Sequence, residues 1–369
     1  MINLSMKTKN NRCPYESLPL ESFFAQLANQ KGNLFLDRNS NFQITSKDKI
    51  ISFGSCFASK IKNICDTLGL NYLKNHDIHN KYNDKIHIEK NTNFSLNYGN
   101  IYTSKHLLQL IKRVLGKETQ LPRILVDSKN RKRNSFRPNV LSYFDEKALR
   151  NDDKNHLKNI SSIIKESNIL IFTLGLTEHW IDKNTLYCLP QVPGCGVGNF
   201  DNKLYKYLNS ELFEVVDEIL ECIHLIRELN KNIKIILTLS PVPLVATYSG
   251  LSAVEANSYS KSLLRQAISF VQKENLTYLE YFPSYEIMTN PHFINLNFLN
   301  NKRTVSDFGL ELIIDQFNRK FVGNESYEAN KFNPHGMIKV SFQQKEKDSF
   351  NPSCDEENIY ASYIKNTRL

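Results

Sequence analysis

The sequence predicts an α/β protein with a three-layer, doubly wound parallel sheet, long loop insertions and an irregular C-terminal arm. Residues 168–174 and 233–239 are continuous apolar runs, which are typical of strands buried on both faces of a parallel sheet. Residues 211–229 carry apolar side chains at helical spacing along one broad face. Strands that alternate with such helices form a parallel sheet covered on both sides.

The first strand and helix of the pattern lie in residues 50–73. Ile50 to Phe53 is a short apolar run, and apolar residues then recur at helical spacing up to Gly69, a natural C-terminal stop. A short strand over residues 70–73 follows. The remaining predicted elements are helices at 104–115, 152–165, 211–229, 254–271 and 306–321, and strands at 168–174, 233–239 and 276–282.

Two long segments interrupt this alternation. Residues 75–103 are rich in Asn, His and Lys with little periodicity, and residues 120–150 form a basic, irregular excursion. Loops of this length are uncommon in compact domains unless they have a function, so we expect the two segments to form a lid. We interpret the basic run Lys129–Arg133 within the second segment as a solvated face.

The pattern divides the chain into three parts. Residues 1–45 are polar with a few aromatic side chains and form a wrapping segment, and residues 46–321 form the α/β domain. Residues 322–369 form a polar C-terminal arm, because the apolar periodicity stops there.

The composition is that of an ordinary soluble protein, with 41% hydrophobic and 23% charged residues among 369. A formal net charge of +9 and a pI near 9.0 permit contact with anionic partners, including nucleotide-activated sugars. The lysines are scattered, which disfavours nucleic acid as a partner. The composition leaves the oligomeric state open.

The seven cysteines are odd in number and form no CxxC pair, so we expect reduced thiols and neither a disulfide framework nor a metal cluster. No cofactor motif is present. The N-terminal residues contain no apolar leader core, and no run reaches the length of a membrane span. The expected location is therefore the cytoplasm.

A glycine and a serine stand where the first strand turns into the first helix. Gly54 lets the backbone turn without a Cβ in the way, and Ser55 then lies at the helix start. Free N–H groups and the positive end of the helix dipole suit an oxyanion that develops beside a nucleophile. Because serine is also a preferred helix cap, a nucleophilic and a capping Ser55 both remain open.

Further polar residues directly follow two other predicted strands. The turn from Gly175 to Glu178 follows strand 168–174, and Ser240 follows strand 233–239. The carboxyl ends of parallel strands meet at one edge of the sheet, where ligands bind. We therefore expect these residues to lie close to Ser55.

Several separated motifs between residues 48 and 321 resemble those of the GSCFA-domain family, which is related to the SGNH/GDSL hydrolases. The resemblance implies a flavodoxin-like, SGNH-hydrolase-like fold and acyl-ester chemistry on a serine. It also implies a bacterial surface glycan or glycan precursor as substrate. The motifs are Gly54–Ala58, Tyr98–Thr103, Phe136–Pro138, Thr173–Trp180, Ser240–Leu244, Tyr259–Ser262 and Tyr281–Glu286.

The resemblance also implies roles for single residues. Ser55 stands in the place of the nucleophile, Gly175 supplies an oxyanion-hole N–H, and Thr177 replaces an asparagine that donates to the oxyanion. The chain departs from the pattern before its last helix, where Asn301 and Thr304 occupy the positions of the usual Asp and His. A serine hydroxyl is a weak nucleophile without a base, so another residue must act as the base or the protein is not a conventional hydrolase.

Several residues are candidates for the missing base. His179 directly follows the Gly175 turn, Glu178 could orient a base or cap a helix, and Lys261 could act in a Ser-Lys arrangement. The further histidines are His76 and His79 in the first long segment and His156 in a helix, where a surface or core role is the alternative. Cys56 is an alternative nucleophile, although a buried thiol more often serves packing.

Six residues are candidates for binding substrate. Lys261 and Arg137 could bind a phosphate or carboxylate, although Lys261 could instead pair with Glu286. The other candidates come from the family motifs, and the full set is Asn100, Arg137, Trp180, Ser240, Lys261 and Glu286.

Three functions remain open on the sequence. The leading one is an esterase or O-acyltransferase that acts on a glycan through Ser55. The second is a non-catalytic carbohydrate or sugar-nucleotide binding protein, and a base within hydrogen-bond reach of the Ser55 hydroxyl would discriminate against it. The third is group transfer from a phosphorylated donor, which predicts that Lys261, Arg137 and the basic run converge on Ser55.

Overall fold

The computed structural model describes residues 40–74, 86–88, 94–95 and 98–324, together with Ser22, Phe24, Tyr327, Ile359 and Tyr363. His76, His79 and nearly all of the two terminal segments lie outside the described residues.

The described residues form strands and helices in alternation, as the sequence pattern predicts. The strands are β1 Lys49–Gly54, β2 Asn71–Tyr72, β3 Ile86–Ile88, β4 Ile124–Val126, β5 Lys132–Asn134, β6 Leu141–Tyr143, β7 Ile169–Leu174, β8 Glu178–Asp182, β9 Cys188–Leu189, β10 Tyr205–Asn209, β11 Lys234–Leu239 and β12 Leu279–Phe282. The helices are α1 Lys60–Leu68, α2 Ser104–Val114, α3 Glu146–Glu166, α4 Leu212–Leu229, α5 Ala253–Gln272, α6 Ser284–Thr289, α7 Ile294–Asn297 and α8 Asp307–Phe317. A 3₁₀ turn at Cys56–Ser59 precedes α1, and a π turn at Asn318–Val322 follows α8.

Five parallel strands form the central sheet in the order β2-β1-β7-β11-β12. Counted along the chain within this sheet, the order is 2-1-3-4-5, that of flavodoxin-like doubly wound folds. The strand order reverses beside β1, so the crevice at the carboxyl ends of β1 and β7 is where such sheets bind ligands. The predicted fold class is confirmed.

Helices cover both faces of this sheet. Successive strand residues point to opposite faces, so Ile51 and Phe53 pack with α2, α3, α4 and α5, whereas Ile50 packs with α1 and α8. Strands β7 and β11 have no exposed residue, since both of their faces are covered. This arrangement gives the three predicted layers.

The chain after β7 departs from the predicted course. It continues as strand β8 and not into a helix, and β8 pairs antiparallel with β9 and β10 in a second, three-stranded sheet. His179 lies within β8 and is only 5% exposed.

Residues 120–150 are not irregular, which corrects a second expectation. Strands β4, β5 and β6 form antiparallel pairs, and β3 pairs with β6. Within the basic run, Arg131 and Arg133 are buried and form ion pairs with Asp127, so a solvated face is wrong for these two residues. The segment packs into the body of the domain through the fully buried Phe136 and Leu141.

The described cysteines form no disulfide; they are Cys56, Cys65, Cys188, Cys195 and Cys222. Within the described ranges, no helix combines the length and the apolar character needed to cross a bilayer.

Candidate functional site

In the turn after β1, the backbone comes very close to the neighbouring strand β7. Gly54 has a φ of +139°, and a Cβ there would lie 2.4 Å from the carbonyl oxygen of Thr173 on the neighbouring strand, so only glycine fits. Ser55 then takes an extended conformation and is 2% exposed. Ser55 occupies the N-cap position of the 3₁₀ turn, as one of the two interpretations expects, but its side chain makes no capping hydrogen bond there.

The Ser55 hydroxyl has no hydrogen-bond partner among the described protein groups. The backbone N–H of Ser55 donates to the carbonyl of Thr173 at 3.2 Å, which extends the ladder between β1 and β7. No imidazole or amine of the described chain therefore lies within hydrogen-bond reach of the Ser55 hydroxyl.

The turn after β7 packs directly on Ser55. A Cβ placed on Gly175 would lie 2.9 Å from the Ser55 Cβ, which brings the two predicted catalytic residues together. The N–H groups of Gly175 and Leu176 both donate to the carbonyl of Tyr102, at 2.9 and 3.0 Å. The Gly175 N–H, expected to serve an oxyanion, is thus bonded to the protein in this structure.

Two consecutive residues of α5 hold this turn in place. Lys261 is 1% exposed, and its Nζ donates to the Gly175 carbonyl at 2.7 Å. The Ser260 hydroxyl accepts from the N–H of Thr177 at 3.0 Å. Lys261 is therefore a buried support for the turn, and it is not paired with Glu286, which binds Arg265 and the Tyr281 hydroxyl at 2.6 and 2.7 Å.

Three other predicted residues also lie at this edge of the sheet. Thr177 is fully buried, and its hydroxyl has no hydrogen-bond partner among the described protein groups. The Ser240 hydroxyl accepts from the N–H of Val242 at 3.3 Å and shapes the turn after β11. Asn100 is 7% exposed and precedes Ile101, whose N–H donates to the Gly54 carbonyl at 2.8 Å.

Asn301 and Thr304, which occupy the positions of the usual Asp and His, form hydrogen bonds with each other. The Asn301 amide donates to the Thr304 hydroxyl at 2.8 Å, and the Thr304 N–H donates to the Asn301 side-chain oxygen at 2.8 Å. Neither side chain can take a proton from a hydroxyl at neutral pH. This segment stabilises its own turn and supplies no base.

A cavity of about 460 Å³ opens beside the Gly175 turn and is walled by α2, the β8–β10 sheet and the loops around residues 190 and 247. Its volume lies within the range of small-molecule sites. Ser55 does not line it, whereas Tyr102 does. A Cβ placed on Gly175 would lie 3.5 Å from the Tyr102 ring and 2.9 Å from the Ser55 Cβ, so Ser55 lies close to this part of the wall.

His179 belongs to the wall of the cavity, and its ring has a defined tautomer. Its Nδ1 lies 3.1 Å from the carbonyl oxygen of Thr177, which can only accept, so Nδ1 carries the proton. In the neutral ring Nε2 then holds a lone pair, and this atom is buried with no hydrogen-bond partner in the described chain. Burial lowers the pKa of His179, so the ring is neutral at neutral pH.

His106 is a second imidazole in the cavity wall, and the sequence analysis missed it. Thr103 caps α2 by accepting from the His106 N–H at 3.2 Å, which places His106 on the first turn of the helix. Its Nε2 lies 3.1 Å from the Tyr98 hydroxyl, and burial lowers its pKa to about 3. The sequence does offer one signal for His106 as a site residue, which is its position three residues after the Tyr98–Thr103 motif.

Aromatic side chains form the rim of the cavity. Trp180 on β8 lies within 5.0 to 5.7 Å, between ring centroids, of Phe200, Tyr207 and Tyr248. Tyr248 is 68% exposed, so one side of the cluster faces solvent. Glu178 accepts from the Thr247 hydroxyl at 2.7 Å and from the Tyr248 N–H at 3.3 Å, and it thereby anchors the loop that carries Tyr248.

Arg137 lies in a buried ion-pair network. It is 3% exposed, its guanidinium pairs with Asp152, and it also donates to the Tyr143 hydroxyl at 3.2 Å. Burial and this network are incompatible with a free anion clamp at Ser55. His156 on α3 stacks on Tyr98 at 5.5 Å between ring centroids, which places it in the core.

A family model described as the GSCFA family matches residues 49–317, which is most of the chain. The protein belongs to the GSCFA family. In this GSCFA protein the matched range begins at Lys49, the first residue of β1, and includes the turn at Gly54 and Ser55. A search of curated proteins finds no match.

Two solved structures are similar to this GSCFA protein at low TM-scores. One is a carbohydrate esterase family 3 protein from Talaromyces cellulolyticus, with a TM-score of 0.32 and 8% identity over 80% of this chain and 98% of that one. The other is a family 3 carbohydrate esterase from Clostridium thermocellum, with a TM-score of 0.25 and 10% identity over 74% of this chain and 94% of that one.

Proposed function

We propose that the protein is an acyl-ester enzyme, an esterase or O-acyltransferase, that acts on a carbohydrate bound in the cavity beside Ser55. The observation that carries this proposal is the cavity of about 460 Å³ at the carboxyl edge of the sheet, which opens beside the Gly175 turn that packs on Ser55 and has the neutral imidazole of His179 in its wall. Acyl transfer to water or to a sugar hydroxyl needs a base at such a place.

The wall of the cavity favours an uncharged ligand. Of the described residues that line it, none is a lysine or arginine, and Glu178 is the acidic one. Lys261 donates to the Gly175 carbonyl and Arg137 pairs with Asp152, so neither cation is placed to clamp a phosphate. This arrangement counts against the phosphorylated donor and supports a neutral ester as the reacting group.

The aromatic rim supports a carbohydrate as the part of the substrate that confers recognition. Trp180 and Tyr248 present large apolar ring faces beside polar atoms of the Glu178 loop. A sugar ring offers one apolar face and a circle of hydroxyls, so it can pack on such rings and donate hydrogen bonds at its edge. A bacterial surface glycan, and a cytoplasmic location, stay predictions from the sequence.

A second function is a non-catalytic carbohydrate-binding protein, and one specific observation favours it. Asn301 and Thr304 bond to each other where the usual Asp and His would activate the serine. A binding protein on this fold would keep the cavity and its rim without any need for the base.

A single set of measurements separates these functions. Trp180 is the only tryptophan of the chain, so its fluorescence reports ligands at the rim without a label. We would titrate a panel of neutral and O-acetylated oligosaccharides and assay release of acetate, and transfer to added unacetylated sugar. A fluorescence change with acetate release or transfer supports the enzyme, and a fluorescence change alone supports the binding protein. If there is no fluorescence change and no acetate release or transfer, both functions are contradicted.

A further inference from the structure

We propose that the buried part of the cavity binds the acyl group of the substrate and that this group is an aliphatic chain longer than acetyl. The inference rests on the proposed acyl-ester function and names the class of ester on which the protein acts. The sugar then packs on the aromatic rim, and the acyl chain extends from it into the cavity.

The wall of the cavity has a buried part and an exposed part. Thr103 and His106 at the start of α2 line it together with Cys188 and Leu189 of β9, and we call these four residues the inner wall. Each of them is 3% exposed or less, whereas Tyr248 of the rim is 68% exposed. A ligand that enters from solvent therefore meets the rim first and the inner wall last.

The inner wall offers few hydrogen-bonding groups to a ligand. The Thr103 hydroxyl accepts from the His106 N–H at 3.2 Å and lies 3.5 Å from the Cys188 Sγ. The Cys188 N–H donates to the Gln109 side chain at 2.8 Å, and the His106 Nε2 lies 3.1 Å from the Tyr98 hydroxyl. The other ring nitrogen, His106 Nδ1, is itself buried. Sugar hydroxyls placed here would lose their bonds to water without replacement, which is costly.

The inner wall is also uncharged at neutral pH. Burial lowers the pKa of His106 to about 3, so the imidazole is neutral, and burial raises the pKa of Cys188 to about 12, so the thiol keeps its proton. A buried thiol of this kind packs as a small apolar group. Glu178, the one acidic residue among the described residues that line the cavity, accepts from the Tyr248 N–H at 3.3 Å and so lies beside the rim.

The volume and the remaining side chains of the wall favour a chain longer than acetyl. An acetyl group is only a few times larger than a water molecule, which occupies about 30 Å³ in the liquid, so it fills a small fraction of the cavity of about 460 Å³. A longer aliphatic chain fills more of this space and removes more apolar surface from water. Further apolar residues of the wall are Leu176, Pro190, Val192, Pro193 and Ile359.

The test measures kcat/KM of the wild-type protein for esters of one oligosaccharide that carry an acetyl, a butyryl or a hexanoyl group. The sugar and the reacting bond are the same in each ester, so a difference in rate reports the acyl group. We expect kcat/KM to rise by roughly two- to fourfold for each added CH₂ that the cavity buries. An acetyl ester that reacts as fast as the hexanoyl ester, or faster, overturns the inference.

Two substitutions that reduce the volume of the cavity locate the chain. Val192→Phe and Leu189→Phe should each lower kcat/KM for the hexanoyl ester by roughly tenfold or more, the effect of losing one or two methylene contacts, and should change the acetyl ester much less. Val192 is half-buried and tolerates a larger side chain better than the buried Leu189, and thermal unfolding checks that each variant is folded. Val126→Phe is the matched control, because Val126 is an exposed valine of β4 and is not among the described residues that line the cavity.

The outcomes separate the inference from the function on which it rests. Equal losses for the acetyl and hexanoyl esters in folded Val192→Phe would mean that the sugar occupies this part of the cavity, which overturns the inference alone. A folded wild-type protein that turns over none of the three esters overturns the proposed function, and the inference with it.

Discussion

Lys261 Nζ donates a 2.7 Å hydrogen bond to the carbonyl oxygen of Gly175, a contact between residues 86 positions apart in the chain. The Gly175 turn packs on both Ser55 and Tyr102, so the ammonium group holds in place the backbone that these two residues contact. A residue that the sequence presented as a possible base or anion ligand therefore organises the backbone of the site.

Replacing Lys261 tests this support. Lys261→Met keeps most of the buried stem but removes the donor, so we expect the free energy of unfolding to fall by about 1.5–3 kcal/mol. Ser260→Ala removes a neutral hydrogen bond and should cost about 0.5–1.5 kcal/mol. Urea unfolding measures both. Lys117→Met is the control, because Lys117 forms an exposed ion pair and should matter little. A Lys261→Met protein as stable as wild type would contradict the assignment.

The aromatic rim gives a prediction about substrate affinity. Trp180→Ala and Tyr248→Ala should each raise KM for an oligosaccharide ester by roughly three- to tenfold, the effect of about 0.5–1.5 kcal/mol of ring contact. The turnover number should change little, because the rim binds ground state and transition state alike. Phe213→Ala is the matched control, since Phe213 is an exposed aromatic residue that packs on Phe270 and does not line the cavity. A lower kcat with unchanged KM in the rim variants would speak against this role.

The buried pair of Arg137 and Asp152 should be structural. Arg137→Ala and Asp152→Ala should each lower the free energy of unfolding by about 3–5 kcal/mol, because each leaves a buried charge without its partner. The double variant should lose less than the sum, as a double-mutant cycle by chemical denaturation would show. Arg265 and Glu286 form a half-exposed pair for comparison, and its cycle should give only about 0.2–1 kcal/mol. Independent losses at Arg137 and Asp152 would contradict the prediction.

The pH dependence of the rate should report His179. Burial lowers its pKa below the ordinary value of 6.5, and the nearby Lys105 charge lowers it further, while Glu214 opposes this. The proposed function makes the neutral ring the base, so kcat/KM should stay level through neutral pH and fall only as the pH drops below 6.5. Lys105→Gln should move this acid limb to higher pH, because it removes a positive charge that disfavours the imidazolium. The neighbouring His106 stays neutral over this range, since its pKa is lowered to about 3.

The pH at which kcat/KM falls on the acid side decides this prediction. A pH–rate profile of wild type and Lys105→Gln, measured at constant ionic strength, gives both values. An acid limb at or above 6.5 in wild type, or a downward shift in Lys105→Gln, would mean that the titrating group is not His179.

The sequence alone predicts the bounds of the helices and strands that have strong apolar periodicity. Helix α4 was predicted over residues 211–229 and spans Leu212–Leu229, and strand β7 was predicted over 168–174 and spans Ile169–Leu174. Apolar spacing carries this information because the buried face of each element repeats along the chain. Strands β4, β5 and β6 have only three residues each, too few for any period to emerge, which is why the sequence pattern of residues 120–150 indicates an irregular loop.

The grouping of Ser55, Gly175 and Thr177 at one edge was also predictable, since the carboxyl ends of parallel strands meet there. The sequence offered no comparable rule for His106, which reaches the cavity from α2, or for Arg137, whose ion pair with Asp152 depends on how α3 packs.

The sequence by itself therefore determined the parallel sheet, the glycine-serine turn after its first strand and the loss of the usual Asp and His. These are properties of local spacing and residue type, which the chain carries without reference to its folded form. Only the tertiary structure decided which side chains face the cavity. Tyr102 lines the cavity whereas Ser55 does not, and Lys261 donates to the Gly175 carbonyl, because both outcomes depend on contacts between segments far apart in the chain.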